Sequence, residues 1–283
     1  MYLFRQTEAE ELVARRIVDF HTHVFPDRVA QRAIGSIGSA CGIPPHTDGT
    51  LGGLRAQLSE AGVTVAVNLP VVTNPEQFDS IVHFAEAINA DFDGTGVLSF
   101  AGMHPAMTDI EAKIRLLCDK DFRGIKLHPD YQNTFFDDDG YYAILKAAKD
   151  HGLTVVTHAG LDGAHRGKVI RCTPERVARM LDRLGGYDRL VLAHFAGHTL
   201  YDEVGAHLVG RDVYLDTSMV MEYLGKERAL SLIARHGAHR VLFATDSPWQ
   251  PIRPYLDAFL ALGLDVAAEE KILWGNAAAL LGL

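Results

Sequence analysis

Short runs of apolar, mostly β-branched residues recur along the chain, and the segments between them carry apolar positions every three or four residues. The first kind reads as strands buried on both faces, the second as amphipathic helices packed over them. Strands are predicted at 17–21, 63–69, 95–102, 124–128, 153–158, 190–194, 213–216 and 241–246. Helices are predicted at 75–89, 109–119, 140–151, 174–184, 222–236 and 251–262, several opened by proline or by an Asp, Ser or Thr cap. Eight strands alternating with helical segments predict an α/β fold, a (β/α)8 barrel. A doubly wound sheet competes, but it seldom needs eight strands, and no glycine-rich GxGxxG turn follows the first run. No linker or charge run divides the chain, so residues 1–283 are expected to form one domain. The stretch from 24 to 53, long for a connection and rich in Gly and Pro, is expected to form a lid over the barrel mouth.

The strand assignment gives the histidines meaning. The chain has 14 of them against 3 cysteines, and in a barrel the active site is built from the C-terminal ends of several strands. His21 and His23 end the first strand, His104 follows the third, Lys126 and His128 end the fourth, His158 the fifth, His194 the sixth and Asp246 the eighth. In His21-Thr22-His23 the imidazoles at i and i+2 of an extended segment point to one side and can reach one ion. With His158 and Asp246 at equivalent strand ends, this is the imidazole and carboxylate chemistry of a catalytic metal. His46, His83, His151, His165, His207, His236 and His239 fall in loops or helices, where solvated surface is the default; His198 is held open.

Charge and cysteines narrow the partners. With 27 basic and 36 acidic residues the formal charge is −9, so no nucleic acid partner is expected. Cys41, Cys118 and Cys172 form no CxxC pair, which fits a cytoplasmic protein and neither a disulfide framework nor a thiolate zinc site. Residues 1–16 mix charges with apolar residues and do not read as a signal peptide, and no run is long enough for a membrane span. A small-molecule substrate is expected, and a homo-oligomer is compatible.

Asp19-Phe-His-Thr-His23, Gly124-Ile-Lys-Leu-His-Pro129, Thr157-His-Ala-Gly160, Ala193-His-Phe-Ala-Gly197, Leu242-Phe-Ala-Thr-Asp-Ser-Pro-Trp249 and the terminal Gly275-Asn-Ala-Ala-Ala-Leu-Leu, in this order, resemble the amidohydrolase-2 branch of the amidohydrolase superfamily. The resemblance runs from about Val18 to the C-terminus. It implies a (β/α)8 barrel with a divalent metal, commonly Zn2+, as one or two ions held by His21, His23, His158 and Asp246. It implies that His194 is either a second-metal ligand or a hydrogen-bond partner of the activated water. Lys126 is either a carbamylated bridge between two metals or an unmodified amine that binds a substrate carboxylate or pairs with a nearby acid. Asp246 would take the water's proton, making Asp246 and His194 the catalytic pair. The implied reaction is hydrolysis of a small, carboxylated amide, ester or lactone, with decarboxylation of a small carboxylated acid as the alternative. A TatD-like deoxyribonuclease is a more distant alternative, echoed by His104 but at odds with Lys126-Leu-His128 and with the net charge. His128, His104, Tyr131, Arg166 and Trp249 are the expected substrate contacts; Arg166, Lys168 and Arg171 read as a cationic cluster at the mouth.

Overall fold

A computed structural model describes residues 15–283; the reading of residues 1–16 as no signal peptide falls almost wholly outside them. Nine short parallel strands follow in chain order: β1 (Val18–Thr22), β2 (Val65–Asn68), β3 (Val97–Ser99), β4 (Ala101–Gly102), β5 (Gly124–Leu127), β6 (Thr154–Thr157), β7 (Leu190–Leu192), β8 (Tyr214–Asp216) and β9 (Val241–Leu242). Each pairs with the next, except that β3 and β4 are one stave interrupted at Phe100. A parallel bridge from Thr22 to Ser247 brings the last stave back to the first, so eight staves close a ring. The fold is the expected α/β, TIM-type barrel.

Two sets of side chains fill it. Val18, Phe20, Val67, Phe100, Val156 and Val191 form one buried cluster, with a residue from stave after stave, and occupy the interior. Alternate positions such as Ala66, Ile125, Leu127, Val155, Leu192 and Leu215 belong to a second cluster shared with the helices. Both faces of each strand are thus buried, which is why the runs read as continuously apolar instead of alternating.

Four of the six predicted helices form within two residues of expectation, among them the one at 174–184 capped by Thr173; a fifth, expected from 75, begins at 78 after a 3-10 turn at Pro75–Gln77 that carries the Asn74 capping box. The sixth is interrupted: Gly225, at φ 75°, separates 220–224 from 226–236. Two expectations need correction. The 24–53 stretch is no plain loop, because Asp27–Cys41 forms a 15-residue helix, α1, that buries Ala30, Ile34 and Gly38 and ends on Gly42 at φ 72°. The strand expected at 241–246 is only two residues long, β9, since the chain after Leu242 stops pairing and turns towards the mouth. Among the described residues no helix is long and apolar enough to cross a membrane.

Candidate metal centre and active site

A cavity of about 720 Å³ opens at the C-terminal ends of the strands. On β5, β6 and β9 simple alternation explains its floor. Lys126 and His128 alternate with outward Ile125 and Leu127, His158 follows inward Val156, and Asp246 follows inward Leu242 and Ala244.

β1 does not follow that rule. Val18 and Phe20 point inward, so strict alternation would send His21 and His23 out towards the helices. The register shows how this is avoided: Val18 and Asp19 pair with Val65 and Ala66, but Thr22 pairs with Asn68, so Phe20 and His21 together oppose Val67. One extra residue switches the parity, and His21 and His23 enter the cavity. His194 is turned in by a different device. After β7, His194, Phe195 and Ala196 all take left-handed backbone, with φ of 56°, 52° and 63°. For non-glycine residues this costs of order 1–3 kcal/mol each and needs firm external support. Asp216 supplies part of it, accepting the His194 backbone N–H at 2.9 Å.

The nitrogen and oxygen atoms at the floor converge. His21 Nε2 lies 3.2 Å from His23 Nε2 and 3.4 Å from Asp246 Oδ1, and His23 Nε2 lies 3.1 Å from Asp246 Oδ1. Ligands bonded to one ion at 2.0–2.1 Å with tetrahedral angles stand about 3.3 Å apart, so the triangle has the edge length of a metal face. The remaining ring nitrogens are committed elsewhere. His21 Nδ1 donates to Asp216 Oδ2 at 2.8 Å and His23 Nδ1 donates to the Leu69 carbonyl at 3.0 Å. Both Nε2 lone pairs are thereby left facing the triangle. Burial, with Lys126 nearby, lowers His21 to about 3, keeping its ring neutral. Burial alone would raise Asp246, but the neighbouring His21 and His23 rings outweigh it and hold the carboxyl at about 2. Neutral imidazoles and an ionised carboxylate are the donor set a divalent cation requires.

The neighbours complete the picture. Lys126 Nζ is 3.0 Å from His21 Nε2, and burial lowers its amine to about 8. His194 Nε2 meets His158 Nδ1 at 3.1 Å, and its own Nδ1 faces Ser218 Oγ at 2.9 Å. His158 Nε2 is buried with no hydrogen-bond partner among the described residues. Asp216, absent from the expected site, accepts from His21, from the His194 backbone and from Ser218; it lies below the ordinary carboxylate range because His21 and Ser218 overcome the effect of burial.

A second compact set, His128, His158 and Asp162, has the same residue types. Its geometry differs. The His128 and His158 rings stack at 4.2 Å with planes 10° apart, and Tyr131 stacks on the other face of His128 at 4.0 Å. A metal lies in the plane of the ring that binds it, and two parallel planes have no such point in common. Asp162 is used otherwise: it caps Gly163–His165 through the Ala164 N–H and accepts from His165 Nδ1 at 2.9 Å. This set is a wall of the cavity.

Of the other expected residues, Tyr131, Arg166, Trp249 and His198 line the cavity. His104 does not; its Nδ1 accepts the Ala106 N–H in the turn after β4. The cationic cluster also breaks up, since Arg171 reaches Asp130 and Asn133 and, like Lys168, lies off the cavity. His236 is buried against the Val213 carbonyl and so is not surface.

The amidohydrolase family model matches residues 18–283. The chain belongs to the amidohydrolase family. No curated protein matches it. Among solved structures, this amidohydrolase is similar to 5-carboxyvanillate decarboxylase from Sphingomonas paucimobilis, with a TM-score of 0.67 and 16% identity over 95% of this chain and 100% of that one. A protein provisionally assigned as 2-pyrone-4,6-dicarboxylic acid hydrolase from Pseudomonas putida gives 0.65 and 18%, over 94% and 97%. A dihydroxybenzoic acid decarboxylase from a Polaromonas species, solved with manganese, gives 0.66 and 15%, over 95% and 97%. At such identities the likeness is one of fold.

Proposed function

We propose that this amidohydrolase is a metal-dependent hydrolase of a small carboxylated amide, ester or lactone. The observation that carries the reading is the triangle of His21 Nε2, His23 Nε2 and Asp246 Oδ1 with edges of 3.1–3.4 Å, its ring tautomers set from behind. His21, His23 and Asp246 would hold one divalent ion, with His158, whose Nε2 has no partner among the described residues, as the further donor. Zinc suits this nitrogen and oxygen set. A divalent ion in that place supplies a Lewis acid for a carbonyl oxygen and lowers the pKa of a water.

The chain's own groups do the rest. Asp246, ionised at neutral pH, accepts the attacking water's proton at its carboxylate and returns it to the leaving group. His194, fixed between Ser218 and His158, lines the floor and holds the His158 ring in place beside the reacting carbonyl. Lys126 adds positive charge beside it. At the mouth Arg28 and Arg166 have no acidic partner among the described residues and meet a substrate carboxylate. The three cysteines form no disulfide, consistent with a cytoplasmic enzyme.

Decarboxylation of a small carboxylated acid is the second reading, favoured by the likeness to the two decarboxylases, one of them holding manganese. A substrate panel of lactones, esters, amides and aromatic carboxylic acids, run in H2(18)O with saturating zinc or manganese, separates the two. Hydrolysis places 18O in the product acid; decarboxylation releases CO2 and leaves no 18O in the organic product. No turnover across the panel with the metal bound would overturn both.

A further inference from the structure

The cavity is larger and more apolar than the chemistry at its floor requires. Its histidines and carboxylates come from the strand ends, but half of its wall comes from the segments after β1 and β2. There α1 faces the helix Phe78–Asn89, here α2 of the pair that frames the mouth. Each helix already has a core face: Ala30, Ile34 and Gly38 on α1, and Phe78, Val82, Ala85 and Ile88 on α2. Covering a barrel needs one apolar face per helix. Both helices carry more. Val29 and Ile37 flank the core face of α1, Ile81 and Phe84 flank that of α2 at a spacing of three, and all four are half-buried and line the cavity. Phe25 and Val71 join them from the two loops. From these two segments the only charged side chain that reaches the cavity is Arg28. Ligand pockets span about 300–1,000 Å³, so about 720 Å³ leaves ample room beyond the polar floor.

We infer that the groove between α1 and α2 is a subsite for an apolar tail several carbons long, carried by a substrate whose carboxyl or carbonyl head sits over the histidines. The inference names the substrate class for the site proposed above and rests on that placement of the head. The tail displaces water from Val29, Ile37, Ile81 and Phe84, and the head supplies the polar contacts. Affinity therefore rises with chain length until the groove is filled.

Isothermal titration of the full-length, metal-loaded protein with straight-chain carboxylates from acetate to octanoate tests this without requiring turnover. The expected result is a Kd that tightens about threefold to fourfold for each added methylene over at least four of them. In Phe84→Ser and, separately, Ile37→Ser, octanoate binding weakens about tenfold or more while acetate binding is unchanged. Both positions are half-buried, and two variants on opposite walls guard against a local misfold in either. A Kd independent of chain length, or a slope that both variants leave intact, overturns the inference. The same titration on metal-free protein keeps it apart from the reading of the floor. A slope that survives without metal or turnover upholds the subsite even where the hydrolase assignment fails, and turnover of short-chain esters, amides or lactones with a flat slope removes the subsite alone.

Discussion

Two clusters a few ångströms apart hold the same kinds of residue and are about equally compact: His21, His23 and Asp246 on one side, His128, His158 and Asp162 on the other. In the first the ring edges point at one another, with planes 71° apart for His21 and His23. In the second the rings lie face to face, 10° apart. The second nitrogens differ too. His21 and His23 each spend Nδ1 on an acceptor behind them, which leaves Nε2 free, whereas His128 Nδ1 serves the Tyr131 backbone N–H and Nε2 stands 3.6 Å from Asp162. Composition and proximity do not make a metal site. The direction of the lone pairs does, and it is set by the groups behind the ligands.

The largest test of the difference is Asp246→Asn. It removes the charge from the first cluster together with the proposed proton acceptor, and turnover should fall by about 10²–10⁴ with the circular dichroism spectrum and thermal midpoint of a folded barrel. Near-wild-type turnover would break the account. Asp216→Asn is the subtler test. It leaves every proposed ligand in place but weakens the hold on His21 Nδ1, and metal affinity, read by competition with a chelator, should drop about 10–100-fold. An unchanged affinity would mean that the Asp216 carboxylate does not orient His21.

Much of the barrel was legible because parallel strands buried on both faces leave uninterrupted apolar runs, and all eight staves fall where those runs lie. The ends were less legible. β9 stops at Leu242 because the next residues turn into the site, although Phe243 and Ala244 are as apolar as any strand residue. The helix at Asp27–Cys41 was hidden by three glycines in or beside it, Gly35, Gly38 and Gly42; Gly38 is there because a Cβ would come within 2.8 Å of the Ile43 carbonyl. At the site, His128, His158, Lys126 and Asp246 follow from strand parity. His21 and His23 reach the cavity only through the bulge at Phe20 and His21, a feature of pairing with β2 that no local pattern announces. Asp216 was missed because a lone Asp ending Val-Tyr-Leu-Asp looks like any strand terminus; its parity with inward Tyr214 was the signal available. His104 failed for the converse reason, since its place after the third stave brings it near the mouth while its ring is used in the turn.

Metal content per chain, measured by plasma mass spectrometry after equilibration with zinc, tests the contrast between the clusters most directly. The account predicts one ion in the wild type, none in His21→Ala/His23→Ala, and one in His128→Phe/Asp162→Asn, where the ring stack is kept but two of the second set's three donors are gone. Two ions in the wild type, an ion that survives loss of His21 and His23, or one lost with His128 and Asp162 would contradict it.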